Sequence, residues 1–175
     1  MTLFPALQGI AGSGNIDVQG NLTMSPYGLP GQADLAFNNG NLFLNDAETE
    51  IENISFSLRF PDFPSLNTAP MQQFSIGAIR KKKLVVNEVK VWFEIGSPQS
   101  LFIEKRSGRW SGGRVFTSSF RLQNDQDELD VALFFDRVEL SSILSQFSLA
   151  EAGGEGRLSG RVPLTYAKGR FFVDD

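Results

Sequence analysis

The 175-residue sequence contains no cysteine and no histidine. Without cysteine there are no disulfides and no thiol nucleophiles, and without histidine the commonest general base and transition-metal ligand is missing. A serine hydrolase would then need a lysine base, and no S-x-x-K sequence occurs. We therefore expect no enzyme, no catalytic residue, no cofactor and no bound metal.

The sequence also lacks any run of the roughly 20 apolar residues that a membrane helix needs, and Met1 is not followed by a secretory signal pattern. Its net charge of −4 provides no field that would attract nucleic acid. Tyrosine and tryptophan occur only twice each, against 16 phenylalanines, which suggests a broad hydrocarbon surface. The residues alone leave the compartment open between a reducing cytosol and a periplasm.

What the sequence does have is alternation with period two, which is typical of half-buried strands. In "NISFSLRF" the apolar residues fall on one side and Ser55, Ser57 and Arg59 on the other. The run "LVVNEVKVWFEI" places Val85 on the same side as Val89. Between two apolar segments, Asn39-Gly40 predicts a hairpin turn, because such turns require positive φ.

One segment has the helical period instead. Leu140, Ile143, Leu144 and Phe147 recur at i, i+3, i+4 and i+7, which predicts a short helix near residues 139–148. The sequence therefore predicts an all-β fold of one domain over residues 1–175, with antiparallel strands and this one helix.

Three charged or glycine-rich motifs have a functional and a structural interpretation. Gly154, Gly156 and Gly160 miss the dinucleotide-binding spacing and are expected to mark a strand junction. The acidic residues at alternate positions from Asp46 to Glu52 do not converge as a calcium site requires, so we expect a solvated edge strand. The basic run 80–83 is expected to be a solvated hairpin turn rather than a phosphate or lipid-headgroup site.

Five segments in a fixed order resemble the C-terminal part of the YdbH-type proteins, in the AsmA-like group of bacterial envelope proteins. They are "SLNTAPMQQFSIGAI", "LVVNEVKVWFEI", "LFIEKRSGRWSGGRV", "FFDRVELSSIL" and "GGEGRLSGRVPL". The resemblance implies a strongly twisted, curled sheet that forms a groove, like a β-taco, within a fragment of a longer multi-strand protein. It also implies a periplasmic location, in an inner-membrane-anchored protein of a Gram-negative bacterium.

The function that the resemblance implies is lipid transport between the inner and outer membranes. The chain would shield phospholipid acyl chains in its apolar groove, and the missing parts of the full-length protein would contact the membranes. Phospholipid or another acyl lipid and envelope proteins are the implied partners, and nucleic acid is not. The alternative is a non-enzymatic structural or interaction module of the envelope with a closed apolar core.

Apolar residues of one parity on strands expected to be neighbours are the candidate groove residues. Such a surface would solvate hydrocarbon without chemical specificity. Alternation looks the same in a closed sandwich and in an open groove, so the sequence leaves the two open. The candidates are Ile54, Phe56, Leu58, Val89, Val91, Phe93, Leu101, Ile103, Val131, Leu133 and Phe135.

Overall fold

A computed structural model of the chain describes residues 10–22, 31–44, 48–62, 65–97, 99–123, 128–147, 153–167 and 170–173. These residues form one sheet and one helix, which confirms the predicted all-β antiparallel fold with a single short helix. The strands are β1 (Ile10–Leu22), β2 (Gly31–Leu44), β3 (Thr49–Phe60), β4 (Gln72–Lys81), β5 (Leu84–Ser97), β6 (Ser100–Trp110), β7 (Gly113–Thr117), β8 (Phe120–Gln123), β9 (Glu128–Glu139), β10 (Arg157–Ala167) and β11 (Arg170–Val173). The helix is α1 (Leu140–Gln146).

In the described residues the sheet has 11 strands, ten of them in nearly sequential order, β1-β2-β3-β4-β5-β6-β7-β9-β10-β11. Each pair of neighbouring strands in the described residues is antiparallel, so short connections can join neighbours. Ten strands in succession, spaced about 4.8 Å apart, make a sheet roughly 43 Å wide.

The sheet divides once, after Thr117. The strand β7 pairs with both β6 and β9, whereas β8 pairs with β6 and lies off the main path. The N-terminal part of β9, residues 128–132, pairs with β10 and has no ladder with β8 among the described residues. We call the gap between β8 and this part of β9 the fork.

A series of irregular positions crosses the strands. Asn39, Asn53, Glu88 and Arg137 have φ values of 55°, 55°, 50° and 53°, although each lies inside a strand. Register shifts accompany these positions in the β2–β3, β5–β6 and β9–β10 ladders. Such bulges bend a strand and increase its twist, so we call this series the bulge line.

The bulge line corrects the prediction of a hairpin turn at Asn39-Gly40. The strand β2 runs without interruption through both residues and pairs with β1 and β3 on either side of them. A left-handed residue serves a bulge as well as a turn, and asparagine tolerates that conformation better than most residues. The Asn-Gly pair therefore predicted the positive φ of Asn39 correctly, but that φ belongs to a bulge and not to a hairpin turn.

The turn between β4 and β5 confirms the predicted basic hairpin, with Lys82 at φ 54°. The acidic residues were misplaced, because β3 lies between β2 and β4 and is not an edge strand. Asp46 lies outside the described residues. The glycines precede and enter β10, as expected of a strand junction.

The helix α1 follows β9 directly, within the predicted range. Two hydrogen bonds join it to the end of β6 and to the turn that follows: Trp110 Nε1 donates to Gln146 Oε1 (2.9 Å), and Gln146 Nε2 donates to Ser111 Oγ (2.8 Å). Phe147, predicted on the apolar helix face, instead lies just beyond the helix and is 61% exposed.

The hydrophobic core is thin. Among the described residues the buried apolar ones are few, and only the Val138 side chain is fully buried. The accessible surface is 12115 Å², whereas a compact monomer of 19.3 kDa exposes roughly 8,500 Å². A sheet without a second layer would expose such an excess, because its side chains are covered only by those of the adjacent strands.

Candidate functional site: the apolar face of the sheet

One face of the sheet is built from rows of apolar side chains that run across the strands. Phe37, Phe56, Phe74 and Val91 are register partners on β2, β3, β4 and β5. Residues directly opposite one another lie on the same face of a sheet. The ring centroids of Phe37 and Phe56 are 5.3 Å apart and those of Phe56 and Phe74 are 6.3 Å apart. We call this side of the sheet the apolar face.

The ladders extend this face to the far strands. Val91 is opposite Arg106, Arg106 is opposite Thr117, and Thr117 is opposite Leu133 on β9. Phe93 is opposite Ile103. By this register all the predicted groove residues lie on the apolar face, and they are Ile54, Phe56, Leu58, Val89, Val91, Phe93, Leu101, Ile103, Val131, Leu133 and Phe135. Their role in binding lipid stays a prediction.

At the bulge line the odd- and even-numbered residues of a strand exchange faces. A Cβ built on Gly108 would lie 3.3 Å from the side chains of both Val86 and Val89, so these two valines flank one spot on the apolar face. Val85 is opposite Arg80, whose guanidinium binds Glu52 on the other face. The prediction that Val85 and Val89 share a side is therefore wrong, because Glu88 between them interrupts the alternation.

A depression on the apolar face has a volume of about 410 Å³. It is lined by Phe56, Leu58, Phe74, Val91, Phe93, Ile95, Leu101 and Ile103, all of them apolar. A lining without hydrogen-bonding side chains gives no chemical selectivity, but it favours hydrocarbon by its area alone. Phe74 and Ile95 were not among the candidates, although their parity on β4 and β5 would have identified them.

A second cavity of about 280 Å³ lies at the bulge line, beside α1. Trp110, Phe135, Val138 and Leu158 contribute to it, together with Ile143 of α1. Trp110 and Phe135 have ring centroids 6.0 Å apart. The helix thus adds an apolar residue to this end of the face, where we predict that it plugs the groove.

The opposite side, the polar face, carries cross-strand ion pairs. The pairs are Arg59–Asp34 at 3.0 Å, Arg80–Glu52 at 3.0 Å, Arg109–Glu88 at 3.1 Å and Arg114–Asp136 at 2.8 Å. The hydrogen bond from Arg114 holds the pKa of the Asp136 carboxyl below its ordinary value. Exposed pairs of this kind stabilise a fold only weakly, and their importance here is to keep this face in water.

The apolar face also holds one cation that sequence reasoning missed. Arg106 lies opposite Val91 because β6 has a register shift between Ile103 and Lys105, and that shift moves Arg106 to the side that Ile103 faces. Plain alternation from Ile103 would have placed Arg106 on the polar face. No signal in the sequence reports the shift.

The described residues offer little to other chemistries. No group of three or more acidic side chains is close enough to hold a metal ion within the described ranges. Of the helices in that part of the chain, none has the length and hydropathy of a transmembrane segment.

A family model described as "YdbH-like: Intermembrane phospholipid transport protein YdbH" matches residues 3–175. The chain belongs to the YdbH-like family. The resemblance found in the sequence is thereby confirmed over nearly the whole chain, and membership implies intermembrane phospholipid transport. No curated protein and no solved structure is significantly similar to the chain.

Proposed function

We propose that this chain is a segment of a lipid conduit that crosses the periplasm and shields phospholipid acyl chains on its apolar face. The single observation that carries the proposal is that this face is apolar across the strands while no second sheet covers it among the described residues. Membership in a phospholipid transport family supports phospholipid as the ligand.

The dimensions suit acyl chains. An acyl chain spans about 15 Å, half of a bilayer's hydrocarbon core, whereas the sheet is roughly 43 Å wide along the strand order. Lipid tails would therefore lie across several strands and move along the rows from one strand to the next. Since successive strands offer similar apolar side chains, no single position would hold a tail strongly.

The segment is proposed to be one β domain within a longer sheet. The outer strand β1 has no partner on its free side within the described residues, and its Ile16 and Val18 are 68% and 69% exposed. A long apolar edge is an aggregation hazard unless another strand pairs with it. We propose that the full-length protein is anchored in the inner membrane and that one of its other strands pairs with β1. That strand would continue both the sheet and its apolar face.

Site-specific photo-cross-linking in the intact protein tests the proposal. A photoreactive amino acid at Phe74 on the apolar face should capture radiolabelled phospholipid in living cells. The matched control is the same substitution at Gln73, the exposed residue that precedes Phe74 on β4. It should capture no phospholipid. No capture at Phe74, or equal capture at both positions, would refute an acyl-chain path on this face.

A further inference from the structure

Among the described residues, Arg106 is the one charged side chain that the ladders place in the middle of the apolar face. Its Nε donates a hydrogen bond to Thr117 Oγ1 at 3.1 Å. Its guanidinium carbon lies 4.3 Å from the centre of the Phe120 ring. These two contacts hold the guanidinium plane against β7 and β8, at the point where the sheet divides.

The guanidinium opens into a cavity of about 270 Å³ at the fork. Apolar side chains form most of its wall, with the Tyr166 ring at one side. The lining residues are Arg106, Phe120, Leu122, Leu129, Val131 and Tyr166. The cavity joins residues of β8 to residues of β9, two strands that do not pair with each other.

The electrostatics of Arg106 are unlike those of the arginines on the polar face. Within the described residues Arg106 has no ion pair, whereas Arg59, Arg80, Arg109 and Arg114 each have a carboxylate within 3.1 Å. Burial lowers the pKa of the Arg106 guanidinium, and burial is the sole cause. Arginine nevertheless stays protonated in proteins. A partly desolvated cation therefore lies on an apolar surface, and none of the described residues places a carboxylate beside it.

We propose that Arg106 binds the phosphate group of a phospholipid at the fork while the acyl chains of that lipid lie on the apolar face. With Nε bound to Thr117, the two terminal nitrogens remain to donate a pair of hydrogen bonds, which is the geometry that arginine offers to phosphate. The inference rests on the proposed function and adds a headgroup site to it.

The fork is the place where a headgroup fits. A phosphate cannot lie on a dry apolar surface without a large desolvation cost. At the fork the sheet lacks a ladder between β8 and residues 128–132 of β9, so a headgroup there would keep part of its hydration. The adjoining apolar side chains would receive the first methylene groups of the tails.

Lipid binding by the purified chain tests the site. The probes are dioleoyl phosphatidylglycerol and dioleoylglycerol, which share their tails and differ by the phosphate headgroup. Each is supplied at the same mole fraction in dodecyl maltoside micelles, and the bound lipid is counted by native mass spectrometry. We expect wild type to prefer the phospholipid at least tenfold, which corresponds to about 1.4 kcal/mol. The variant Arg106→Met should lose that preference and still bind dioleoylglycerol.

Two variants provide the controls. Arg121 is the matched one, because its guanidinium stacks on Phe102 at 5.0 Å across the same two strands but on the polar face. Arg121→Met should therefore leave the preference unchanged. Arg106→Lys retains the charge and should retain part of the preference for the phospholipid over dioleoylglycerol. It therefore still tests the site if Arg106→Met does not fold.

The outcomes separate the two proposals. Equal preference in wild type and Arg106→Met would overturn the headgroup site and leave the conduit standing, whereas a wild type that binds neither lipid would overturn both. Titration with inorganic phosphate alone, followed by calorimetry, distinguishes the other source of the same chemistry. Micromolar phosphate binding that requires Arg106 would make this a site for free phosphate and refute the lipid assignment.

Discussion

A carboxylate placed at Phe56 separates an open apolar face from a covered one. Phe56 is half-buried in β3, between the rings of Phe37 and Phe74. Phe56→Asp removes both ring contacts and adds a charge. Phe56→Ala removes the same contacts without the charge, so the difference between the two variants measures how well the new carboxylate is hydrated.

The magnitudes follow from the half-burial of the ring. Truncating a fully buried phenylalanine costs about 3–5 kcal/mol, so a half-buried one should cost roughly 2 kcal/mol. On an open face the aspartate stays in water, and we expect Phe56→Asp to lie within about 1 kcal/mol of Phe56→Ala. A covered core would add about 3–5 kcal/mol for an unpaired buried charge.

Two assays complete this test. Urea unfolding of the purified chain gives the free energies of Phe56→Ala, Phe56→Asp and the polar-face control Ser57→Asp. Phospholipid transport by the full-length variants gives the second result, where Phe56→Asp should block transport because tails would have to pass an ion and its water. Unfolding of the chain by Phe56→Asp alone would refute the open face and favour a closed structural module. Transport at the wild-type rate would refute the path.

Two further predictions concern the bulge line and the polar face. Glu88 has φ 50°, so Glu88→Val should destabilise the chain by about 1–2 kcal/mol in urea unfolding while Glu88→Gly stays within about 0.5 kcal/mol of wild type; equal effects would mean that backbone strain is not the cause. Arg114 lowers the pKa of Asp136, so the stabilisation is present above the unfolded pKa and is lost as pH falls through the lowered folded pKa. Arg114→Met should therefore reduce the dependence of stability on pH below about 4, the ordinary range of an aspartate, and an unchanged acid profile in unfolding experiments would contradict the pairing.

Much of the fold could be predicted because alternation reports one face of a strand directly. The period-two runs located the strands, and the change to the helical period located α1. The candidates on β3, β5, β6 and β9 share a face because strict alternation holds within each of the short stretches that contain them. These are local properties, so the sequence was sufficient for them.

The sequence could not show what depends on register between strands. Val85 was assigned to the wrong face because the conformation of Glu88 interrupts the alternation. Arg106 was missed for the same reason on β6, where one shift exchanges the two faces. A charged side chain can occupy a position on either face of a strand, so composition does not show that one of them lies among apolar residues.

An apolar face that none of the described residues covers would also link the stability of the chain to its proposed cargo. Hydrophobic stabilisation scales with the apolar area removed from water, and here the strands remove little of it themselves: Val138 alone among the described residues has a fully buried side chain. Lipid tails on the face would bury the rest, and a ligand that binds only the folded state stabilises it according to its concentration and affinity. The openness that would let tails slide from strand to strand is therefore the same property that leaves the empty sheet less stable. A single guanidinium at the fork would give a passing phospholipid one position at which its headgroup and its tails are both satisfied.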